Sequence, residues 1–332
     1  MPAKIDVLGI GNAIVDVIAR TEDDFLVRHA MNKGSMALID EARAEAIYAS
    51  MGPAIEASGG SGANTIAGVA SFGARAAFVG KVKDDLLGKA FTHDIRAIGV
   101  DFSTRPAADG PSTARCYVLV TPDGERTMNT YLGAAQNLTP ADLDEKQIAS
   151  AGIIYLEGYL WDPPQAKEAF RKAAAIAHGA GRKVALTLSD AFCVGRYRDE
   201  FLHLMRSGAV DLVFANESEL KSLYQTSDFD SALPALRNDV KLAVVTRSEK
   251  GCLVVSREET DAVAANPIDR LVDATGAGDL FAAGFLVGLS RGADHRTSAR
   301  LGALATAEVI QHLGARPETS LKALARDSGF EL

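Results

Sequence analysis

The sequence has few cysteines and no long hydrophobic run, and each absence excludes a class of protein. Its three cysteines, Cys116, Cys193 and Cys252, are too few for a disulfide framework and too far apart for a paired zinc site. A reducing, cytoplasmic location is therefore expected. No apolar run reaches about 18 residues, and the first residues lack the apolar segment of a signal peptide. We therefore expect neither export nor a membrane partner.

Positive charge is also scarce. Lys and Arg total 35 against 43 for Asp and Glu, which gives a net charge of -8. No basic field is available to hold a nucleic-acid backbone, so nucleic acid is not an expected partner. The six histidines form no ligand pattern that would hold zinc.

What the chain does contain is typical of a large globular α/β protein. It has 332 residues, of which 47% are hydrophobic. From about residue 63, predicted helices and strands alternate, which favours a parallel sheet covered by helices on both faces. The predicted order is helix 63–72, strand 75–80, a helix from 86 to 98, strand 152–156, helix 165–178, strand 183–188, helix 197–206, strand 210–214, helix 217–224, strand 241–246 and helices 277–290 and 295–312.

The N-terminal part is instead rich in predicted strands. Residues 4–10 and 13–19 are two strands separated by a turn, and 35–39 is a third. Residues 113–131 predict a hairpin that turns at Pro122, Asp123 and Gly124. No crossover helix is predicted between these strands, which indicates a small antiparallel sheet apart from the main one.

The strongest local motif is the turn from Asp273 to Asp279 (DATGAGD), which leads into an apolar, alanine-rich helix. Glycines permit a tight turn, and the first amides of a helix have no partner within it, so the turn is suited to bind an anion. Asp279 in the first helical turn can take a proton from a hydroxyl that attacks that anion. The alternative is that Asp279 complements the helix dipole and the glycines only cap.

A second motif, Ser58 to Thr65 (SGGSGANT), precedes another predicted helix. Its three glycines let a ligand approach the backbone, and Asn64 offers a donor and acceptors to hydroxyl groups. A flexible loop is the alternative.

A third segment, Gly9 to Asp16 (GIGNAIVD), invites comparison with a dinucleotide-binding turn. It lacks the third glycine, and a strand follows where a helix is required, so NAD-dependent oxidoreduction is not expected. Asn12 and Asp16 stand just beyond a strand, where they can hold sugar hydroxyls or stabilise a turn.

The two glycine motifs in this order resemble the signatures of the ribokinase-like (PfkB) family of carbohydrate and nucleoside kinases. The resemblance spans Asn12 to about Arg316. It implies that residues 1–332 form a single ribokinase-like α/β domain of three layers, with a mainly parallel central sheet. A small β-sheet lid, built from about 12–40 and 101–135, would cover the acceptor site. The resemblance further implies ATP and Mg²⁺ as cofactors, a small-molecule substrate, and a monomer or homodimer.

Carried over residue by residue, the resemblance makes Asp279 the general base and Gly276, Ala277 and Gly278 the anion hole. Asn216 and Glu219 match an NxxE element that positions phosphate and Mg²⁺, the latter through water. Capping of a helix is the alternative for Asn216.

The same resemblance places Thr246, Arg247 and Gly251 on the strand and turn beneath the nucleotide. Ser248 stands where many members have glycine. Asp273 and Thr275 lie where some members contact a monovalent cation such as K⁺.

The spacing of Asn12, Asp16, Gly59, Gly60 and Asn64 is similar to the ribose-contacting set of the family's adenosine kinases. Adenosine is therefore the expected acceptor, phosphorylated on its ribose 5′-hydroxyl. A sugar kinase acting on ribose or fructose is the alternative, followed by a non-catalytic binding regulator. A nucleoside needs an apolar or aromatic wall for its base. The candidates, each of which has core packing as its alternative, are Phe102, Tyr117, Met128, Tyr131 and Leu132, and Tyr131 is taken as a substrate contact.

Overall fold

The computed structural model describes residues 3–331, and within them two β-sheets and the surrounding helices account for the chain. The strands are β1 Ile5–Ile10, β2 Ile14–Arg20, β3 Met36–Leu38, β4 Ile55–Gly59, β5 Ala76–Val79, β6 Val100–Asp101, β7 Ala114–Val120, β8 Arg126–Tyr131, β9 Ala151–Glu157, β10 Lys183–Thr187, β11 Leu212–Asn216, β12 Leu242–Thr246, β13 Cys252–Ser256 and β14 Thr260–Val263. The helices are α1 Asp23–Arg28, α2 Glu41–Ser50, α3 Ser61–Ser71, α4 Leu86–Ala97, α5 Glu145–Ser150, α6 Pro164–Gly179, α7 Ala191–Arg206, α8 Glu217–Tyr224, α9 Phe229–Asp239, α10 Ala277–Ser290, α11 His295–Val309 and α12 Leu321–Asp327.

The large sheet has nine strands in the order β14-β13-β12-β11-β10-β9-β1-β5-β6. The strands from β12 to β6 in this order pair in parallel, whereas the β12–β13 and β13–β14 pairs are antiparallel. Its central strands are apolar throughout because both faces are buried. Neighbouring side chains of β1 show this, since Val7 packs into one hydrophobic core and Leu8 into the other.

Helices cover both faces of this sheet. Helices α3, α4, α10 and α11 pack with Val7 on one face, and α5 to α9 pack with Leu8 on the other. The predicted three-layer α/β architecture with a mainly parallel central sheet is confirmed.

The second sheet has five strands in the order β3-β8-β7-β2-β4, and we call it the lid sheet. The predicted hairpin of β7 and β8 is present, but β2 pairs with β7, and β3 with β8, in parallel. The prediction of an antiparallel sheet was therefore wrong in half of its pairings. Strand β4 was not predicted because its sequence, IEASG, has little β-branched character. The predicted lid segment 12–40 also contains helix α1.

Two further differences are local. The helix predicted over 197–206 begins earlier, at Ala191, because Asp190 caps it and the helix bends at Tyr197 (φ -122°) instead of beginning there. Among residues 3–331, no helix combines the length and the apolar character needed to cross a bilayer.

Four polar residues stand at the carboxyl ends of parallel strands of the large sheet. Asn12 follows β1, and Glu157, Asn216 and Thr246 end β9, β11 and β12. Because these strands are parallel, their carboxyl ends meet at one edge, which is where α/β sheets bind ligands. The lid sheet is joined to that edge through Gly11–Ala13, between β1 and β2.

Candidate active site

A cavity of about 600 Å³ lies between the carboxyl edge of the large sheet and the lid sheet. Its volume is within the range of small-molecule sites. Sequence-predicted residues on its wall are Asn12, Asp16, Gly60, Asn64, Asn216, Glu219, Thr246, Thr275, Gly276, Ala277, Gly278 and Asp279. The structure thus brings together residues from both glycine motifs and from the predicted NxxE element.

The glycine turn that leads into α10 forms one end of the cavity. Gly276 has φ +78°, and a Cβ there would lie 2.8 Å from Ala315 Cα, so only glycine fits. No side chain caps this 14-residue helix. The amide of Ala277 donates to the Ala274 carbonyl at 3.2 Å, and the amide of Gly278 remains available to an anion in the cavity.

Asp279 lies at the same helix N-terminus, half-buried on the cavity wall. Its Oδ1 accepts a hydrogen bond from Ser61 Oγ at 2.6 Å, and its Oδ2 accepts one from Asn64 Nδ2 at 3.4 Å. Burial raises the pKa of Asp279 to about 6, although these donors and the Arg316 charge favour its ionised form. The carboxylate is thus ionised at neutral pH and basic enough to accept a proton.

Arg316 connects to this carboxylate through Asn64. Its Nε donates to Asn64 Oδ1 at 2.8 Å, while Asn64 Nδ2 points to Asp279. Arg316 lines the cavity, and its charge also lowers the pKa of Asp16. Burial nevertheless raises the pKa of Asp16 to about 6.

The buried carboxylate of Glu157 joins the loop at Asn12 to the first turn of α3 beside the cavity. Its Oε2 accepts from the backbone N–H of Asn12 at 3.0 Å and of Gly62 at 2.9 Å, and its Oε1 accepts from Asn12 Nδ2 at 2.8 Å. Burial raises the pKa of Glu157 to about 7. Asn12 Oδ1 is buried and has no protein partner among the described residues, so it is an acceptor free for a ligand.

Gly60 makes this junction possible. It has φ +92°, and a Cβ there would lie 2.5 Å from the carbonyl oxygen of Asn12. Glycine is required, because the residue must leave strand β4, pass the Asn12 backbone and begin α3.

Asn216 and Glu219 form a reciprocal cap at the start of α8. Asn216 Oδ1 accepts from the Glu219 N–H at 2.9 Å, and Glu219 Oε2 accepts from the Asn216 N–H at 3.0 Å. Glu219 is buried, which raises its pKa to about 7. Both residues also line the cavity, so capping does not exclude a contact with ligand.

Asp273 lies behind the glycine turn, where it is tied to the lid sheet. Its Oδ2 pairs with Arg126 Nη1 at 2.7 Å and accepts from the Gly314 N–H at 2.9 Å, and its Oδ1 accepts from the Thr275 N–H at 3.0 Å. Both side chains of the ion pair are largely buried. The carboxylate expected to contact K⁺ is therefore already neutralised by a guanidinium.

Comparison with known proteins agrees with this geometry. The pfkB family carbohydrate kinase model matches residues 55–322. The chain belongs to the pfkB family of carbohydrate kinases. It is therefore an ATP-dependent kinase, and the non-catalytic alternative is set aside.

Two solved structures resemble this pfkB-family kinase along nearly its whole length. An adenosine kinase from Sinorhizobium meliloti is 56% identical with a TM-score of 0.92, covering 98% of this chain and 100% of its own. A probable sugar kinase from Rhizobium etli is 54% identical with a TM-score of 0.92, covering 98% and 99%. Among curated relatives, adenosine kinase of Saccharomyces cerevisiae is 27% identical over 92% of this chain and 94% of its own.

Several predicted residues of the kinase lie outside the cavity wall. Gly59 lies behind it, against the Asp16 carboxylate. Arg247 instead pairs with Glu217 at 3.2 Å and lies over the Phe229 ring. Gly251 closes the turn before β13 with φ +81°, and Ser248, in the glycine-like position, adopts φ +53°.

Of the five residues predicted to form a wall for the base, the three aromatic ones do not line the cavity. Met128 and Leu132 line the cavity, but Phe102, Tyr117 and Tyr131 do not. Tyr117 is fully buried in the core, and the ring of Tyr131 lies under the Arg115 guanidinium, 5.1 Å away. Phe102 packs against other buried phenylalanine rings. The lid sheet instead offers an aliphatic face, made of Ile14, Ile18, Met36, Leu38, Val118, Met128 and Leu132.

The cavity residues of the kinase that were not predicted include Ser61, Arg126, Glu157, Phe192 and Arg316. Ser61 lies within a motif that was singled out, and Glu157 ends a predicted strand at the expected sheet edge, so both carried a signal. Arg126, Phe192 and Arg316 carried none, since each reaches the cavity through tertiary packing alone.

Proposed function

We propose that this pfkB-family kinase transfers the γ-phosphoryl group of ATP to the ribose 5′-hydroxyl of adenosine. The observation that carries the proposal is the two-part lining of the acceptor end of the cavity. Polar side chains of Asn12, Asp16 and Asn64 suit ribose hydroxyls, and the aliphatic face of the lid sheet suits a purine base. The 56% identity to an adenosine kinase supports the same acceptor.

A sugar kinase is the second candidate. The probable sugar kinase from Rhizobium etli is 54% identical to this chain, and the polar set would hold ribose or fructose equally well. A bare sugar leaves the aliphatic face of the lid sheet without an apolar partner. That unfilled face favours the nucleoside.

In the proposed reaction, Asp279 is the general base. Its carboxylate accepts the proton of the acceptor hydroxyl as that oxygen bonds to the γ-phosphorus, the bond from this phosphorus to the bridging oxygen breaks, and ADP leaves. Ser61 Oγ and Asn64 Nδ2 hold the carboxylate in place. The amides of Gly276, Ala277 and Gly278 stabilise negative charge on the transferring group. ATP supplies the phosphoryl group when bound, and Mg²⁺ neutralises its phosphates.

The donor end of the cavity suits a nucleotide with its metal. Within residues 3–331, no three His, Cys, Asp or Glu side chains are grouped to hold a metal. Mg²⁺ commonly keeps several waters and binds phosphate oxygens with one or two carboxylates. We assign Glu219 to such a water-mediated contact, with Asn216 and Thr246 along the nucleotide. Arg247 and Gly251 shape the adjoining turn.

The proposal also includes a monovalent cation, a cellular location and an oligomeric state. K⁺ at Asp273 and Thr275 remains a prediction and requires the cation to share Asp273 with Arg126. A cytoplasmic location is supported by three buried, unpaired cysteines. A monomer or a homodimer remains the prediction for the oligomeric state.

We expect the kcat/KM of the kinase to fall at acidic pH with an apparent midpoint near 6. The pKa of Asp279 is raised to about 6, and only the ionised form accepts a proton, so activity is present above this pKa and lost below it. Asp16, also at about 6, titrates in the same range and adds to the slope. Initial rates from pH 5 to 9 at subsaturating acceptor test this, and a midpoint below 4.5 would contradict it.

Shortening one side chain on the aliphatic face of the lid sheet should discriminate between adenosine and ribose. Leu38→Ala removes apolar surface from the base site, and we expect KM for adenosine to rise roughly tenfold while KM for ribose stays unchanged. Leu38 is half-exposed on an edge strand, so the fold should tolerate the change. Val27→Ala, exposed and away from the cavity, is the matched control. An equal change for both acceptors would contradict a base at this wall.

The acceptor itself is tested by ADP production from ATP and Mg²⁺ with separate adenosine, inosine, uridine, ribose and fructose. We expect adenosine to give the largest kcat/KM. Turnover confined to ribose or fructose would overturn adenosine and keep the kinase.

A further inference from the structure

Arg316 is a half-buried cation on the wall of the cavity. Its Nε donates to Asn64 Oδ1, and its Nη2 is buried without a hydrogen-bond partner among the described residues. The carboxylates of Asp16, Asp94 and Asp279 all act on its charge. A buried guanidinium is costly unless its charge is compensated, so its place among carboxylates needs an explanation in the site.

We propose that Arg316 is a positioning residue for phosphoryl transfer, fixing the Asn64 amide with its NH₂ group toward Asp279 and placing a permanent positive charge beside Asp279 and Asp16. The inference deepens the proposed function and rests on it for the role of Asp279. Arg316 would act on the reaction through these neighbours.

The hydrogen bonds fix the direction of the Asn64 amide. An amide can rotate by 180°, and both arrangements have similar shapes. A guanidinium only donates, so Arg316 Nε requires the amide oxygen, and the NH₂ group must then face Asp279 Oδ2. Without Arg316, the contact that holds the amide in this direction is the longer one from Asn64 Nδ2 to Asp279 Oδ2, at 3.4 Å.

The positive charge of Arg316 also favours the ionised form of Asp279. Burial favours the protonated forms of Asp279 and Asp16, and Arg316 opposes this for both. Arg126 on β8 assists at Asp16, and Asp94 on α4 offsets part of the Arg316 charge. A base that must be ionised at neutral pH is therefore kept so partly by the Arg316 guanidinium.

Two variants separate orientation from charge. Arg316→Met removes both, so we expect kcat to fall roughly tenfold and the acidic midpoint of kcat/KM to rise by about one pH unit. Arg316→Lys retains the charge and loses the fork of donors, so we expect a reduced kcat with the midpoint near wild type. Arg296→Met, at an exposed arginine on α11, is the matched control. If Arg316→Met does not fold, Arg316→Gln, which is polar and neutral, replaces it.

The titration is also measured without turnover. The ¹³C carboxyl resonance of Asp279, identified by its loss in Asp279→Asn, is followed against pH in wild type and variants. An upward shift in Arg316→Met or Arg316→Gln, absent in Arg316→Lys and Arg296→Met, supports the proposal. An unmoved midpoint in the neutral variants, or a kcat within twofold of wild type, overturns it. Kinetics use whichever acceptor the wild type phosphorylates, so failure of adenosine bears only on the proposed function.

Discussion

Asp279→Asn should lower kcat at pH 8 by a factor of about a hundred or more. Asparagine has the same shape, and its amide oxygen can still accept the hydrogen bond from Ser61 Oγ. The amide cannot, however, take the proton of the acceptor hydroxyl that attacks phosphorus. The loss should fall on kcat, with KM for the acceptor changed by less than about fivefold. The midpoint of thermal unfolding should hold or rise, because a buried carboxylate with a raised pKa is removed.

Asp230→Asn is the control for the electrostatics of a helix N-terminus. Asp230 lies in the first turn of α9, as Asp279 does in α10, but it is exposed and outside the cavity. Asp230→Asn should leave kcat unchanged. A kcat for Asp279→Asn within tenfold of wild type would mean that this carboxylate only complements the helix dipole.

Glu157→Ala should produce the second large effect, on both stability and acceptor binding. Three N–H groups, from Asn12 backbone, Asn12 side chain and Gly62 backbone, would lose a buried acceptor. Since an unsatisfied buried donor costs about 1–3 kcal/mol, we expect the free energy of unfolding to fall by roughly 3 kcal/mol. KM for the acceptor should rise about tenfold or more, because the loop carrying Asn12 and the start of α3, which carries Asn64, lose their common anchor.

Urea unfolding and acceptor kinetics measure the two effects. Glu157→Gln should lie between wild type and Glu157→Ala, since its amide oxygen can keep some of the bonds while its NH₂ group faces a donor. Glu145→Ala, an exposed glutamate at the start of α5, is the matched control. An unchanged free energy of unfolding and an unchanged KM in Glu157→Ala would show that other contacts hold Asn12 and the start of α3.

The parts of the site that sequence could predict are those in which local backbone geometry dictates the residue. The turn at Gly276 and the entry to α3 at Gly60 require positive φ, and such positions are visible as glycine motifs. Asp279 follows from its place in the first turn of a helix. Glu157 does not, because its three donors belong to Asn12 and Gly62, which are 145 and 95 residues away along the chain.

The face of the lid sheet that points to the cavity could not be predicted from the sequence. Every residue of β7 from Ala114 to Val120 is buried, so no alternation of polar and apolar residues marks the face toward the cavity. The structure places Cys116 and Val118 on that face and Tyr117 on the opposite one. The same alternation in β8 turns Met128 to the cavity. Tyr117 and Tyr131 therefore indicated the correct strands and the wrong face, whereas Phe102 lies outside the lid sheet.

A competition experiment tests the central claim most directly. Equimolar adenosine and ribose are incubated with the kinase, ATP and Mg²⁺, and the phosphorylated products are separated and quantified against the ADP formed. The account predicts adenosine 5′-monophosphate and ADP in equal amounts, with ribose phosphate a minor product and no product from Asp279→Asn. Ribose phosphate as the main product, or ADP formed without a phosphorylated acceptor, would contradict it.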